Sequence, residues 1–519
     1  MRVSCWLFVA LGLTASPARA AVVELPGAAA LAIYGSREGD LVGHALARGD
    51  FDGDGVEDLA LGVPSDSPFP QSRMRNGAVY LLFGGSDFAQ RLAGGLSAIP
   101  NRIVGTRAGQ MLGMNIAAGD FDGDGRDDLI MGSPWTTGGD STVHEGGAAY
   151  ILLGRERGAF PPVIEIPESA DIILLAPAAD IHVGEAVAFG DWNGDGLADA
   201  AIGAMYANGP GGIRPHAGAT YLYYGRPRRK IKDRVTLDRA ADLTIHGAER
   251  DDTSGRCLVF TDWNGDGRDD LLIAAYYGDG PDNTRTDPGE AYILLGGTKK
   301  GVKKKSVDLA TPGVTIPIYS GWTRGAFGRA AAAGDVDGDG LGDFLVGAYR
   351  APGEADDRRA LAGAVDVVFG RREPTASIDL AERMEYRVLG ANYFDTLGRY
   401  LAARDLDGDG RAEMLIGVPF GDAEEPAGAL RLQCGVVGIV TGRARAVGPD
   451  SLDLLAATFD HEIRGAEPGD EIPGALEILD IDADGKMDIV IGAPVAAGRE
   501  NVSPHTGEVY FLLGASRTW

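Results

Sequence analysis

The sequence predicts an all-β protein, a seven-bladed β-propeller of four-stranded antiparallel blades closed by the N-terminal strand. Three observations carry that prediction. The stretch "RGDFDGDGVED", residues 48–58, returns as "GDFDGDGRDD", "GDWNGDGLAD", "TDWNGDGRDD", "GDVDGDGLGD", "RDLDGDGRAE" and "LDIDADGKMD". The first aspartates are Asp50, Asp120, Asp191, Asp262, Asp335, Asp405 and Asp480, so successive copies start 70, 71, 71, 73, 70 and 75 residues apart. A period this regular marks a repeat architecture. Each copy is flanked by short, Gly-bounded apolar segments, and the segment missing from the last copy has a counterpart at the start of the chain.

The segments read as strands in order. Upstream of each copy is a run of small apolar residues such as "NIAAG" or "AVAFG", the innermost strand. Directly downstream comes the second, as "DLALG" or "DFLVG", rich in Leu, Ile and Val. About 15 residues further on stands the third, "GAVYLLFG", "GAAYILLG" or "GEVYFLLG". The fourth is read as "VIEIP", "VTLD", "SVDLA", "SIDLA" and "SLDLL". Four strands in each of seven radially repeated sheets leave little exposed edge. The last copy stops at "GEVYFLLGASRTW", and "AVVELPG" near the start resembles the missing fourth strand. The N-terminus is therefore expected to complete blade seven, with Val22 to Leu25 as the closing strand.

Composition agrees. The 519 residues are 45% apolar and 24% charged, which fits a folded soluble protein. Residues 1–20, "MRVSCWLFVALGLTASPARA", have a charged start, an apolar run and an Ala18-Arg19-Ala20 ending, the pattern of a removable export signal. The domain assignment is thus 1–20 signal peptide and 21–519 propeller. Export to the periplasm, cell surface or medium is expected, and no later segment approaches the ~20 apolar residues of a membrane helix. Cys257 and Cys434 then remain, and both read as small apolar residues rather than a disulfide.

The aspartates explain the net charge of −27. Each copy places oxygen-bearing side chains at positions 1, 3, 5 and 9 and leaves position 7 to offer its backbone carbonyl, the way a short loop wraps a hard cation. The predicted ligands are Asp50, Asp52, Asp54, Val56 and Asp58 in the first copy and Asp120, Asp122, Asp124, Arg126 and Asp128 in the second. The third and fourth use Asp191, Asn193, Asp195, Leu197 and Asp199, then Asp262, Asn264, Asp266, Arg268 and Asp270. The fifth has Asp335, Asp337, Asp339, Leu341 and Asp343. The last two have Asp405, Asp407, Asp409, Arg411 and Glu413, then Asp480, Asp482, Asp484, Lys486 and Asp488. The cages hold 26 acids, and 75 less 26 leaves 49 acids against 48 basic residues, so almost the whole excess charge lies in them. Clustered carboxylates call for a counter-cation, and a flexible all-oxygen loop prefers calcium, up to seven ions. An EF-hand would need an acid at position 12, where Leu61, Met131, Ile202, Ile273, Val346, Ile416 and Ile491 stand. The Arg48-Gly49-Asp50 tripeptide is accordingly read as the start of a cage and not as an exposed adhesion ligand.

These residues resemble the FG-GAP repeat of the integrin alpha-subunit N-terminal propeller. Phe327-Gly328 and Gly492-Ala493-Pro494 match the two halves of the repeat's name, with variants at Leu112-Gly113, Leu397-Gly398, Gly62-Val63-Pro64 and Gly417-Val418-Pro419. The resemblance implies a seven-bladed propeller with calcium in the loops between strands one and two. Integrins carry cages in only some blades, whereas all seven copies have them here, and secreted bacterial FG-GAP propellers are the nearer comparison.

Antiparallel alternation puts the cages and the three-four connections on one face. The latter are basic, with Arg155, Arg157, Arg228 to Lys232, Lys303 to Lys305, Arg371, Arg372, Arg443 and Arg445, and read as a rim balancing nearby acids. The opposite face carries long loops whose aromatics, Trp135, Tyr276, Tyr349, Trp322, Tyr393 and Phe394, are the predicted partner-binding residues. A protein or glycan ligand is expected there, with no nucleic acid, no direct membrane insertion and a monomeric chain. The second reading is a calcium-dependent polysaccharide lyase or other carbohydrate-active enzyme. His144, His216 and His505 are its candidates, but they are better explained as loop histidines making local hydrogen bonds, since no acid or nucleophile recurs with them in the sequence.

Overall fold

The computed structural model describes residues 21–25, 27, 31–35, 37–66, 75–92, 95–137, 144–297, 305–352, 359–424, 430–445, 451–497 and 505–514. The expected export signal lies outside them. Seven sheets form the blades of a ring. Blade one runs outward from Ala45–Gly49 through Asp58–Val63 and Ala78–Leu82 to Asn101–Gly105. All three pairings are antiparallel, and the next five blades follow the same plan.

The fourth strands are not the segments assigned from sequence. They are Asn101–Gly105, Ile172–Leu175, Leu243–His246, Ile316–Tyr319, Tyr386–Leu389 and His461–Arg464. In three of them, Ile172–Leu175, Leu243–His246 and Ile316–Tyr319, buried residues alternate with half-buried ones. The "VIEIP"-type segments form an additional fifth strand. Val163–Ile166 pairs parallel to Asn101–Gly105, on the outer edge of the preceding blade. Arg234–Thr236, Ser306–Asp308, Ile378–Asp379 and Ser451–Asp453 do the same for blades two to five. The three-four connections of blades two to six thus each leave their own blade, cap the preceding blade's exposed edge and return, which removes an unpaired strand edge from five blades.

Closure by the N-terminus holds, with different residues. Ala21–Glu24 lies parallel to His461–Arg464 as the fifth strand of blade six. Leu31–Tyr34 pairs antiparallel to Glu508–Leu512 and completes blade seven. That blade has four strands, and beside it the three-four connection of blade one forms a short helix, Phe88–Arg91, whose Phe88 ring meets Phe511 edge-on at 5.3 Å.

The core is divided into seven apolar clusters, one at each blade–blade interface. Close approach there depends on paired glycines. A Cβ on Gly62 would strike the carbonyl of Gly113 in the next blade, and Gly132 stands in the same way against Gly184, Gly203 against Gly255, Gly347 against Gly398 and Gly492 against Gly43. The first glycine of each pair ends the second strand of one blade and the other opens the first strand of the next, so the repeat's two glycine signatures are two sides of one contact. Cys257 and Cys434 are free thiols.

Ile33 is fully buried in the closing strand, whereas Val22 is 37% exposed. Ile33→Ala should therefore destabilise the protein by about 2–5 kcal/mol in denaturant unfolding, and Val22→Ala by less than about 1 kcal/mol. Equal effects would contradict this register.

Candidate metal centres

Each cage is a loop between the first and second strands of a blade, and its geometry repeats. Asp50 accepts from the backbone N–H groups of Gly53, Asp54 and Gly55 at 2.8, 3.1 and 2.9 Å. Asp120 and Asp335 accept the equivalent three, and Asp191, Asp262, Asp405 and Asp480 two each. The position-5 carboxylates, Asp54, Asp124, Asp195, Asp266, Asp339, Asp409 and Asp484, each accept from the N–H two residues on, at Val56, Arg126, Leu197, Arg268, Leu341, Arg411 and Lys486. The turn needs left-handed backbone at positions 4 and 6, with Gly53 at φ 75° and Gly55 at φ 85°. In the seventh cage Ala483 adopts φ 59° instead.

The position-9 carboxylate fastens the loop to the sheet. Asp58 accepts from Phe51 N–H at 2.9 Å and from Gly84 N–H, just beyond the third strand, at 2.7 Å. Asp128, Asp270, Asp343 and Asp488 repeat both bonds, Asp199 bonds Gly225 and Asn193, and Glu413 bonds Leu406 and Gly442. All seven are buried. Burial, together with the neighbouring cage carboxylates, pushes Asp58, Asp199, Asp270, Asp343 and Asp488 up to about 7 and Asp128 to about 8. A cation placed beside such a group would favour its ionised form and lower its pKa again.

The cages converge on points where such a cation would fit. Ligand oxygens of Asp50, Asp52 and Asp58 lie within 4.8 Å of one another, as do those of Asp120, Asp122 and Asp128, of Asp335, Asp337 and Asp339, and of Asp405, Asp407 and Glu413. At position 3 of the second and third cages, the buried oxygens Asp122 Oδ1 and Asn193 Oδ1 accept no hydrogen bond. Oxygen lone pairs left bare in this way suit a hard divalent cation.

The basic connections reach these loops. Arg157, from blade two, meets Asp52 at 2.6 Å and Asp54 at 3.1 Å in blade one, and Arg445, from blade six, meets Asp337 at 2.5 Å in blade five. Arg126, Arg268 and Arg411 pair with their own position-5 aspartates. The rim therefore balances acids, as the sequence suggested; Lys303 and Lys304 lie outside the described residues. Adjacent cages are also joined directly. The N–H groups of Asp127, Ala198, Asp269, Gly342 and Ala412 donate to the carbonyls of Asp50, Asp120, Asp191, Asp262 and Asp335 in the preceding blade. This ladder is not visible in the sequence, because the donor at position 8 is a backbone group. Arg48 pairs with Glu57 and Glu477 at 3.0 and 3.2 Å, so the Arg-Gly-Asp tripeptide is built into a strand end and a cage.

On the opposite face, Tyr276, Tyr349 and Phe394 line one cavity of about 570 Å³, with Tyr277, Arg399 and Phe420, at blades four to six. Tyr276 and Tyr349 are joined by a 3.2 Å hydrogen bond between their hydroxyls. The other three predicted aromatics do not line it. Trp322 packs against the core between blades four and five beneath Arg387, Tyr393 is exposed beside Phe394, and Trp135 lies edge-on to His182. His144 and His216 do have acidic neighbours, contrary to the sequence reading. Asp180 lies 3.3 Å from His144 and Asp251 3.1 Å from His216. These acids come from the next four-one loop, about 35 residues away, which hid them from a motif search. All four side chains are largely exposed, in keeping with local hydrogen bonding.

Ala483→Gly should stabilise the protein by about 0.5–1 kcal/mol by relieving the left-handed alanine, read in denaturant unfolding; a neutral or destabilising change would contradict that backbone path. Asp120→Ala should lower the bound divalent-ion count by one per chain and shrink the rise in melting temperature that the ion produces. An unchanged count would exclude the second cage as a site.

The FG-GAP repeat model matches residues 42–82, 112–152, 327–368 and 473–512, the first three strands of blades one, two, five and seven. Integrin alpha-PS2 of Drosophila melanogaster is 30% identical over 244 residues, covering 46% of this chain and 15% of that protein. Phosphatidylinositol-glycan-specific phospholipase D of Mus musculus is 26% identical over 421 residues, covering 78% of this chain and 46% of that protein. Integrin alpha-V of Gallus gallus is 27% identical over 240 residues, 45% of this chain and 20% of that protein. The chain spans less than half the length of each. Four matched repeats, seven copies of the acidic loop and a seven-bladed ring show a chain that carries FG-GAP repeats in a propeller like that of the integrin alpha N-terminal domain.

Proposed function

We propose that the chain is an exported, calcium-stabilised propeller that binds a protein or glycan partner through the face opposite its cages. Calcium suits the cages because the loops are glycine-hinged and offer only oxygen. Export is supported by the pattern of residues 1–20, and among the described residues no helix is long and apolar enough to cross a membrane. The named relatives, integrin alpha chains among them, make a role in adhesion the natural reading.

The observation that carries the binding assignment is the cavity walled by Tyr276, Tyr277, Tyr349, Phe394 and Phe420. Aromatic side chains with few rotatable bonds, flanked by arginine and held on a rigid ring, have the composition of binding hot spots. The cages and their arginines satisfy one another on the other face, which leaves the loop face to recognise a partner.

Combined Tyr276→Ala, Tyr349→Ala and Phe394→Ala should weaken partner binding by about thirtyfold or more, with the calcium-loaded melting temperature kept within a few degrees. Binding screened on immobilised glycans and on surface proteins should be lost on the same targets. Full affinity in the triple variant, or affinity lost on substituting the cage-face residues Arg228 and Arg229, would overturn the assignment.

A further inference from the structure

The first strands of all seven blades line an axial channel of about 310 Å³. The residue six positions before each first cage aspartate falls at the loop-face end of that strand, so these seven positions form one ring. Blades four, five and six place Arg256, Arg329 and Arg399 in it. Blades one and three contribute His44 and Glu185, and Met114 and Gly474 complete it. Glu185 pairs with Arg256. Among the described residues, no carboxylate lies within ion-pair distance of Arg329 or Arg399, although Glu471 is near enough to feel the charge of Arg399.

Several arginines on and between the blades are matched, Arg214 with Asp308 at 2.8 Å, Arg285 with Asp379 at 2.6 Å, Arg359 with Asp453 at 3.0 Å and Arg404 with Glu57 at 2.9 Å. In a chain of net charge −27, leaving two half-buried guanidinium groups unmatched on the axis is a costly arrangement unless an anion completes it. His44 Nδ1, in the same ring, is buried without a hydrogen-bond partner. Arg399 links the two spaces. It lines both the channel and the aromatic cavity, and its guanidinium sits 5.7 Å from the ring centres of Tyr400 and Phe420.

We infer that the ring captures the C-terminal carboxylate of a protein partner whose last residues are apolar, the carboxylate meeting Arg329 and Arg399 and the apolar side chains entering the cavity beside Tyr349 and Phe394. The inference deepens the loop-face reading and rests on it. A carboxylate matches the planar, multi-donor guanidinium, and the cavity walls are mainly aromatic and aliphatic, which favours an apolar peptide end over a hydroxyl-covered sugar. The aliphatic residues Leu46, Ile116, Val187, Leu258 and Leu401, two positions further along each strand, line the channel below the ring. Their low-polarity surroundings strengthen the ion pairs above them.

The test uses the calcium-loaded full chain and acetyl-Phe-Phe as the free acid, its C-terminal amide and trigalacturonate, with binding followed by calorimetry. The free acid should bind about ten- to a hundredfold more tightly than the amide, and Arg329→Gln with Arg399→Gln should erase that difference. Arg399→Lys, which keeps the charge, should recover part of it, and melting temperatures should show every variant folded. Equal affinity for acid and amide would overturn the carboxylate site, and if Tyr349→Ala with Phe394→Ala still removed both peptides, the loop-face reading would stand without it. Binding of trigalacturonate alone would transfer the ring to an acidic glycan, and no binding of any probe would overturn the inference.

Discussion

Each blade of this ring buries a carboxylate, and the rest of the architecture is arranged around that fact. A position-9 acid such as Asp58 lies out of solvent between the cage loop and the end of the third strand, taking one N–H from each. Two hydrogen bonds reduce the cost of burying the charge but do not remove it, since three further oxygen-bearing side chains crowd the same loop. A divalent cation resolves the conflict by turning the repulsion into ligation. Without one, the raised acids hold protons in the folded state, so the stability they lend is lost as pH rises through about 7.

The blades are coupled through the same loops. A backbone bond runs from position 8 of one cage to position 1 of the cage before it, and Arg157 and Arg445 cross between neighbours in the same sense. On the other side of five of the seven interfaces paired glycines let backbones meet at a distance that no side chain would permit. Repeat architectures draw their stability from nearest-neighbour interfaces, and here, among the described residues, an apolar cluster fills every interface, with the cage ladder on one side of five of them and paired glycines on the other side of five. The fifth strand lent to six of the blades adds a further tie and covers an edge.

Much of this is legible in the residues. The period, the ligand pattern and the second and third strands could be read directly because all are local. The fourth strand could not. Segments such as "NRIVG" and "LTIH" mix polar with apolar residues, whereas "VIEIP" and "SIDLA" look more strand-like and in fact pair with a different blade. Parallel pairing across blades leaves no local signature, so a count of four strands per unit was filled by the wrong segment and the closing strand was moved from Leu31–Tyr34 to Val22–Leu25. The axial ring shows the reverse case. Arg256, Arg329 and Arg399 occupy one register position in three consecutive repeats, and aligning the copies six residues upstream of the cages would have exposed them. Three of the six predicted aromatics share a cavity, while Trp322 fills a gap between blades, a difference only packing reveals.

The most direct test of the account is a metal count on the purified chain, paired with thermal unfolding before and after chelation. The account predicts close to seven calcium ions per chain and a melting temperature that falls steeply when they are removed and returns when calcium, but not magnesium at the same concentration, is restored. A chain that holds few or no ions and melts at the same temperature with chelator present would contradict it, because seven buried carboxylates would then be stabilised by something other than a cation.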